Sequence, residues 1–204
     1  PVETLHVAVP EFFKALDSQL KSVSLDDCKV YLTWHAVHAS APLLPSAFVN
    51  ENFDFYSKTL TGAKELKPRW KRCVQYVDAD LGEALGQKYV EATYGQQGKE
   101  RTLAMVRAIE KALEKDIQQL DWMTPSTKKR ALEKLHAITN KIGYPEQWRQ
   151  YTFDVKNGDL LGNSERANMF EFKRQMAKIG KPVDKNEWLM TPPTVNAYYE
   201  QQNN

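Results

Sequence analysis

Apolar residues return every three or four positions along nearly the whole chain, the spacing of one face of an α-helix. Pro10 opens a run over 11–21 in which Phe12, Phe13, Leu16 and Leu20 share a side. Ser24 is placed to cap a helix over 25–39, with Asp26 and Asp27 where the helix dipole favours negative charge. Pro42 and Pro45 break it, and a third helix over 46–59 carries Phe48, Phe53, Phe55 and Tyr56 before Gly62. After Pro68 a long stripe runs from Trp70 through Cys73, Val74, Val77, Leu81 and Leu85 to Tyr94, with Gly82 and Gly86 marking close packing or a kink. Residues 95–98 read as a turn. Leu103, Val106, Ile109, Leu113, Ile117 and Leu120 then define an amphipathic helix over 99–120.

Thr124 followed by Pro125 starts another helix, carrying Ala131, Leu135, Ile138 and Ile142 and stopping at Gly143. Residues 148–159 read as a loop or short extended stretch, 164–179 as helix and 184–188 as a single helical turn. Residues 193–199 read as a strand: Val195, Tyr198 and Tyr199 suit one, and Pro193 suits its start or a sheet edge. The expected fold class is mainly α: a multi-helix, bundle-like region with a C-terminal β-strand. One strand has no partner here, so its sheet is expected to lie mostly outside this chain.

Composition changes this picture little. The chain has 204 residues, 42% hydrophobic and 26% charged, with 5 Trp, 9 Tyr and 8 Phe, which is material for an ordinary folded core rather than disorder. The net charge of +2 is interleaved, without a basic stripe or reading motif, so nucleic acid is not an expected partner. No apolar run is long enough for a transmembrane segment, and the first ten residues lack a signal peptide's basic start and apolar run. Cys28 and Cys73 have no metal-knuckle spacing and are read as independent thiols in preference to a disulfide.

Candidate chemistry is sparse. His35 and His38 share a helix face as H-x-x-H, but no Glu stands between them and the H-E-x-x-H of a zinc protease is absent, so packing or surface histidines are favoured over ligands. Nucleophile elbows and phosphate loops are absent as well. The aromatic run at 52–56 fits a helix core better than a ligand face. The run Val195-Asn-Ala-Tyr-Tyr199 differs. It offers an amide side chain in a β-favouring stretch whose backbone is suited to pairing with an extended peptide.

Several segments, in order, resemble the neprilysin family of zinc metalloendopeptidases, which includes the endothelin-converting enzymes and bacterial PepO-like proteins. They are Phe53-Asp-Phe-Tyr-Ser-Lys-Thr-Leu-Thr-Gly62, Pro68-Arg-Trp-Lys-Arg-Cys-Val-Gln-Tyr-Val77 and Gly86-Gln-Lys-Tyr-Val-Glu-Ala92. Further on come Leu120-Asp-Trp-Met-Thr-Pro-Ser-Thr-Lys-Lys-Arg-Ala131, the stretch 134–145 ending Lys-Ile-Gly-Tyr-Pro, and 188–199 ending Thr-Val-Asn-Ala-Tyr-Tyr. The form of 53–62 is closer to the bacterial branch.

The resemblance implies a partial metallopeptidase chain over 1–204: a helical segment at 1–62, a long-helix region at 66–182, and a substrate-strand segment at 183–204 leading to the zinc domain. It implies that Asn196, through its side chain, and Ala197, through its carbonyl, hold the backbone of a short peptide substrate. Held in register, the peptide would reach a zinc-bound water polarised for attack. The family's E-I-V-F-P-A-G-I-L strand, H-E-x-x-H and downstream Glu would come after Asn204, and the family's N-terminal anchor or leader would precede Pro1. Zinc is therefore expected in the parent protein but not in this chain, and the chain alone is expected to be inactive. Its partners would be short peptides and the remaining catalytic half of the same protein, in an extracytoplasmic (secreted or periplasmic) setting. Cys73 matches a family cysteine that is disulfide-bonded in animal members; its partner would lie outside this chain or be absent. The competing reading is a stand-alone helical peptide- or protein-binding module; a third is complementation by a second chain that carries the zinc half.

Overall fold

The structure, a computed structural model, describes Thr4 and residues 6–201. It is mainly helical, in two compact units, Pro1–Leu66 and Lys67–Asn204. The first unit holds α1 (Pro10–Ser22), α2 (Leu25–Ser40), a 3-10 turn at Ala41–Leu43 and α3 (Ser46–Asn52). Ser24 caps α2 as expected, its Oγ accepting the Asp27 N–H at 3.1 Å. The helix read over 46–59 changes character half-way: Phe53–Thr59 continues with wider π-type turns. The Thr59 hydroxyl donates to the Asp54 carbonyl five residues back, at 2.8 Å, which suits that wider winding.

The second unit is built on α4 (Arg69–Thr93) and α5 (Gly95–Gln119), then α6 (Pro125–His136) and α7 (Leu160–Met176). Helix α4 packs against α5 and α7, and α5 against α6. The turn expected over 95–98 is compressed into Gly95 alone. Its φ of +57° is open to glycine at little cost, so one residue redirects the chain and α5 begins at once. Thr124 caps α6, accepting the Thr127 N–H at 3.2 Å. The helix stops at His136, six residues before the expected Ile142, because residues 140 and 141 are claimed by tertiary bonds. Asn140 Nδ2 donates to Glu110 at 3.0 Å and Lys141 Nζ to the Glu187 carbonyl at 2.6 Å. Helix α7 starts four residues before Ser164, since Asp159 accepts the Gly162 N–H at 3.1 Å and supplies the cap.

No strand occurs among the described residues, and 193–199 makes no ladder there. Nor is any described helix long and apolar enough to cross a membrane.

Few side chains are sheltered. The buried apolar residues are Ala41, Val90, Ile117, Leu135 and Ala167, and none of the described side chains is fully enclosed. The stripes read from the sequence are only partly covered: Phe12, Phe13, Leu16 and Leu20 on α1 and Ile109 and Leu113 on α5 are exposed, as are Met105 on α5 and Met169, Phe172 and Met176 on α7, whereas Ile117 of the α5 stripe is buried. The accessible surface is 16339 Å². A compact chain of this length exposes roughly 10,000 Å², or about 12,000 Å² if folded as two separate bodies.

Candidate functional site

The C-terminal segment is positioned by a helix that gives way to it. Helix α4 is kinked at Leu81, whose φ of −135° and ψ of 35° interrupt the helical ladder. The N–H of Glu83 is taken up by Tyr151 Oη at 3.1 Å. On this face Gly82 and Gly86, one turn apart, present bare backbone to Thr191 and Pro192. A Cβ at Gly86 would lie 2.5 Å from Pro192 Cδ, and one at Gly82 would overlap Thr191 Cγ2. The sequence suggested close packing or a kink here; both occur.

From this seat the chain turns, with the Thr194 N–H donating to the Thr191 carbonyl and the two hydroxyls 3.0 Å apart. It then emerges: Val195 is 100% exposed, and Asn196 and Ala197 are exposed beside it. The Asn196 Oδ1 accepts the Ala197 N–H at 2.8 Å. Its Nδ2 makes no hydrogen bond among the described residues. Both residues lie on the wall of a cavity of about 810 Å³, whose lining also includes Tyr89, Val90, Tyr94, Ile142 and Trp188. Lys134 Nζ lies 5.6 Å from the Tyr199 ring centroid.

A charged network, not foreseen from the sequence, anchors the approach to this segment. Glu83 is only 8% exposed. Its carboxylate accepts the Arg149 backbone N–H at 2.6 Å and the guanidinium at 3.0 Å. Arg149 also lies 3.4 Å from Glu171, Glu171 pairs with Arg174 at 2.7 Å, and Arg174 reaches Glu187 at 2.6 Å, where Lys178 joins. The hydrogen bond from Arg174 draws the Glu171 carboxyl down to about 2. For Glu187 burial opposes ionisation, yet the bonds from Lys178 and Arg174 outweigh it and its pKa is lowered. Burial pushes Asp80 upward, partly offset by the Ser164 hydroxyl, and likewise raises Tyr151. A charged residue at position 83 inside an apolar stripe was the one available signal of this network.

His35 and His38 sit among aromatic rings: His38 stacks on Trp34 at 5.0 Å and meets Tyr56 at 4.8 Å, and His35 meets Tyr31 at 4.3 Å. Among the described residues no three His, Cys, Asp or Glu side chains gather as a metal-binding group. The zinc that the resemblance implies has no ligand set among them. Cys28 and Cys73 are free thiols.

The N-terminal family model described as Peptidase family M13 matches residues 1–145. The chain belongs to peptidase family M13. Among M13 relatives, bovine endothelin-converting enzyme 1 is 32% identical over 89% of this chain and 25% of its own length. Human neprilysin is 28% identical over 99% of this chain and 28% of its own. The zinc metalloprotease Zmp1 of Mycobacterium tuberculosis, solved in an open state, superposes with a TM-score of 0.81 at 42% identity, covering 94% of this chain and 30% of that one. The chain thus spans about a quarter to a third of the length of these M13 relatives.

Proposed function

We propose that this chain is the framework and peptide-docking portion of an M13 zinc endopeptidase that hydrolyses small peptides. The helices of 1–62 and 66–182 form the framework. Residues 183–204 form the docking segment and lead toward the zinc-bearing remainder. Asn196 offers its side chain, and Ala197 its carbonyl, to the backbone of an extended peptide, so that recognition depends little on the peptide's own side chains. The observation that carries this reading is the pair Asn196–Ala197 standing on an exposed, unladdered segment at the wall of the 810 Å³ cavity. The Asn196 Nδ2 has no competing intramolecular bond among the described residues.

The exposed apolar residues on α1, α5 and α7 support a remainder that packs against this portion, since exposed apolar area of that extent is unusual on a self-sufficient body. They count against the stand-alone binding module. Zinc belongs to the remainder, and this chain alone is inactive. Family likeness supports an extracytoplasmic setting.

Two measurements test the proposal. The 204-residue chain is assayed with a quenched-fluorescent peptide and by zinc analysis. No chelator-sensitive turnover and no stoichiometric zinc are expected, and chelator-sensitive turnover by the chain alone refutes the claim. In the complete metallopeptidase, Asn196→Ala is expected to lower kcat/KM by about 10- to 100-fold, the worth of one or two backbone-directed hydrogen bonds. An unchanged kcat/KM refutes the docking role.

A further inference from the structure

We infer that Gly82 and Gly86 of α4 are positioning residues for the peptide-docking segment: the bare helix face fixes Thr191 and Pro192, and through them the reach of Asn196 and Ala197. This rests on the docking role proposed above.

The geometry leaves no slack at the seat. A Cβ at Gly86 would meet Pro192 Cδ at 2.5 Å and Cγ at 2.7 Å, and one at Gly82 would overlap Thr191 Cγ2 and lie 3.3 Å from its Cβ. By contrast Asp78 Oδ1, the remaining neighbour of Gly82, stands at an ordinary 3.6 Å. The obstruction therefore comes from the docking segment itself. Thr191 is not free to turn aside without loss, because its hydroxyl is 3.0 Å from that of Thr194.

The segment is also held upstream. Glu187 is gripped by Arg174 at 2.6 Å and by Lys178 at 2.5 Å, and its carbonyl accepts from Lys141 at 2.6 Å. Between this anchor and Asn196 lie Pro192 and Pro193, whose rings fix φ, so a displacement at 191–192 is carried forward instead of being absorbed. Asn196 is four or five residues beyond the seat. In a docking site that works by register, a shift of about 1 Å costs on the order of 100-fold in rate.

The test uses the complete metallopeptidase. Gly82→Ala is expected to lower kcat/KM by about 10-fold or more, the scale of a misplaced docking group. Adding Thr191→Ser removes only the obstructing methyl and keeps the hydroxyl. The double variant is expected to recover to within about threefold of the parent, as coupled neighbours do. Hydrogen exchange across 191–200 is expected to quicken in Gly82→Ala and to be restored in the double variant, a readout independent of turnover. Ile117→Ala, which opens a void at a buried residue of α5 that does not line the cavity, controls for lost stability: it lowers the melting point without changing KM. The inference is overturned if Gly82→Ala stays within about threefold of the parent. It is equally overturned if its loss persists in the double variant with exchange unrestored. An inert Asn196→Ala in the same assay fails the docking role instead, whereas an impaired Asn196→Ala beside a silent Gly82→Ala fails only the seat.

Discussion

Removing the Glu83 carboxylate tests the mechanics of the second unit most directly. Glu83 comes just after the kink at Leu81, is nearly buried, and accepts two bonds from Arg149, one from its backbone at 2.6 Å and one from its guanidinium at 3.0 Å. Breaking a buried ion pair from one side costs about 3–5 kcal/mol, because the partner charge is stranded. Arg149 is not wholly stranded: its side chain is 23% exposed and Glu171 remains 3.4 Å away. Glu83→Ala should therefore cost about 3 kcal/mol, and Glu83→Gln, which still offers an acceptor to the backbone N–H, about half of that. For a unit of this size the Ala variant should melt about 10 °C lower. Urea unfolding monitored by tryptophan fluorescence gives the free energies. In a cycle with Arg149→Ala, the double variant should lose at least about 1 kcal/mol less than the sum of the singles. If Glu83→Ala stays within about 0.5 kcal/mol of the parent, the carboxylate is not holding the 149 loop against α4 and the reasoning is wrong.

Two other perturbations probe neighbouring parts of the same unit. The Glu171 pKa is lowered to about 2, so its ionised form stabilises the fold above its unfolded value of 4.5, and that stability drains away as pH falls from there toward 2. With 40% of the side chain exposed, solvent screening leaves about 1 kcal/mol of effect. Glu171→Gln should flatten the melting-point profile between pH 5 and 2 by about that amount, and parallel profiles would count against the network. Separately, Gly143 has a φ of +75°, and a Cβ there would collide with the Tyr94 ring, which is itself tied to Thr102 at 2.8 Å. Gly143→Ala should cost about 3 kcal/mol, backbone strain plus the displaced ring, and a loss below about 1 kcal/mol in chemical unfolding would mean that Tyr94 yields freely.

Much of the local structure was legible in the order of residues. Ser24 and Thr124 were placed as caps, and both accept the expected N–H. The 3.6-residue period located α1, α2, α4 and α5 because helices are built from contacts three and four positions apart, all within reach of a short window. Their ends were less legible. The helix starting at Pro125 carries apolar residues at helical spacing as far as Ile142, yet it stops at His136, since Glu110 and the Glu187 carbonyl bind Asn140 and Lys141 from elsewhere in the chain. Asp159, read as loop, proved to be a cap whose partner Arg166 also holds its carboxyl below the usual range.

The sequence by itself settled that this is a helical chain of the M13 type, and it singled out Asn196 and Ala197, because helix period and motif order are properties of neighbouring residues. Tertiary structure alone decided which surfaces are covered and what holds the segment that carries Asn196 and Ala197. Amphipathic stripes announce a buried face without saying what buries it, so Ile109 and Leu113 on α5 read as core and yet stand exposed, while Ile117 of the same stripe is buried. Gly82 meets Thr191 more than a hundred positions away, and Glu83 meets Arg149 across 66 residues. Contacts of that separation depend on where the folded chain returns upon itself, and no local pattern encodes that return.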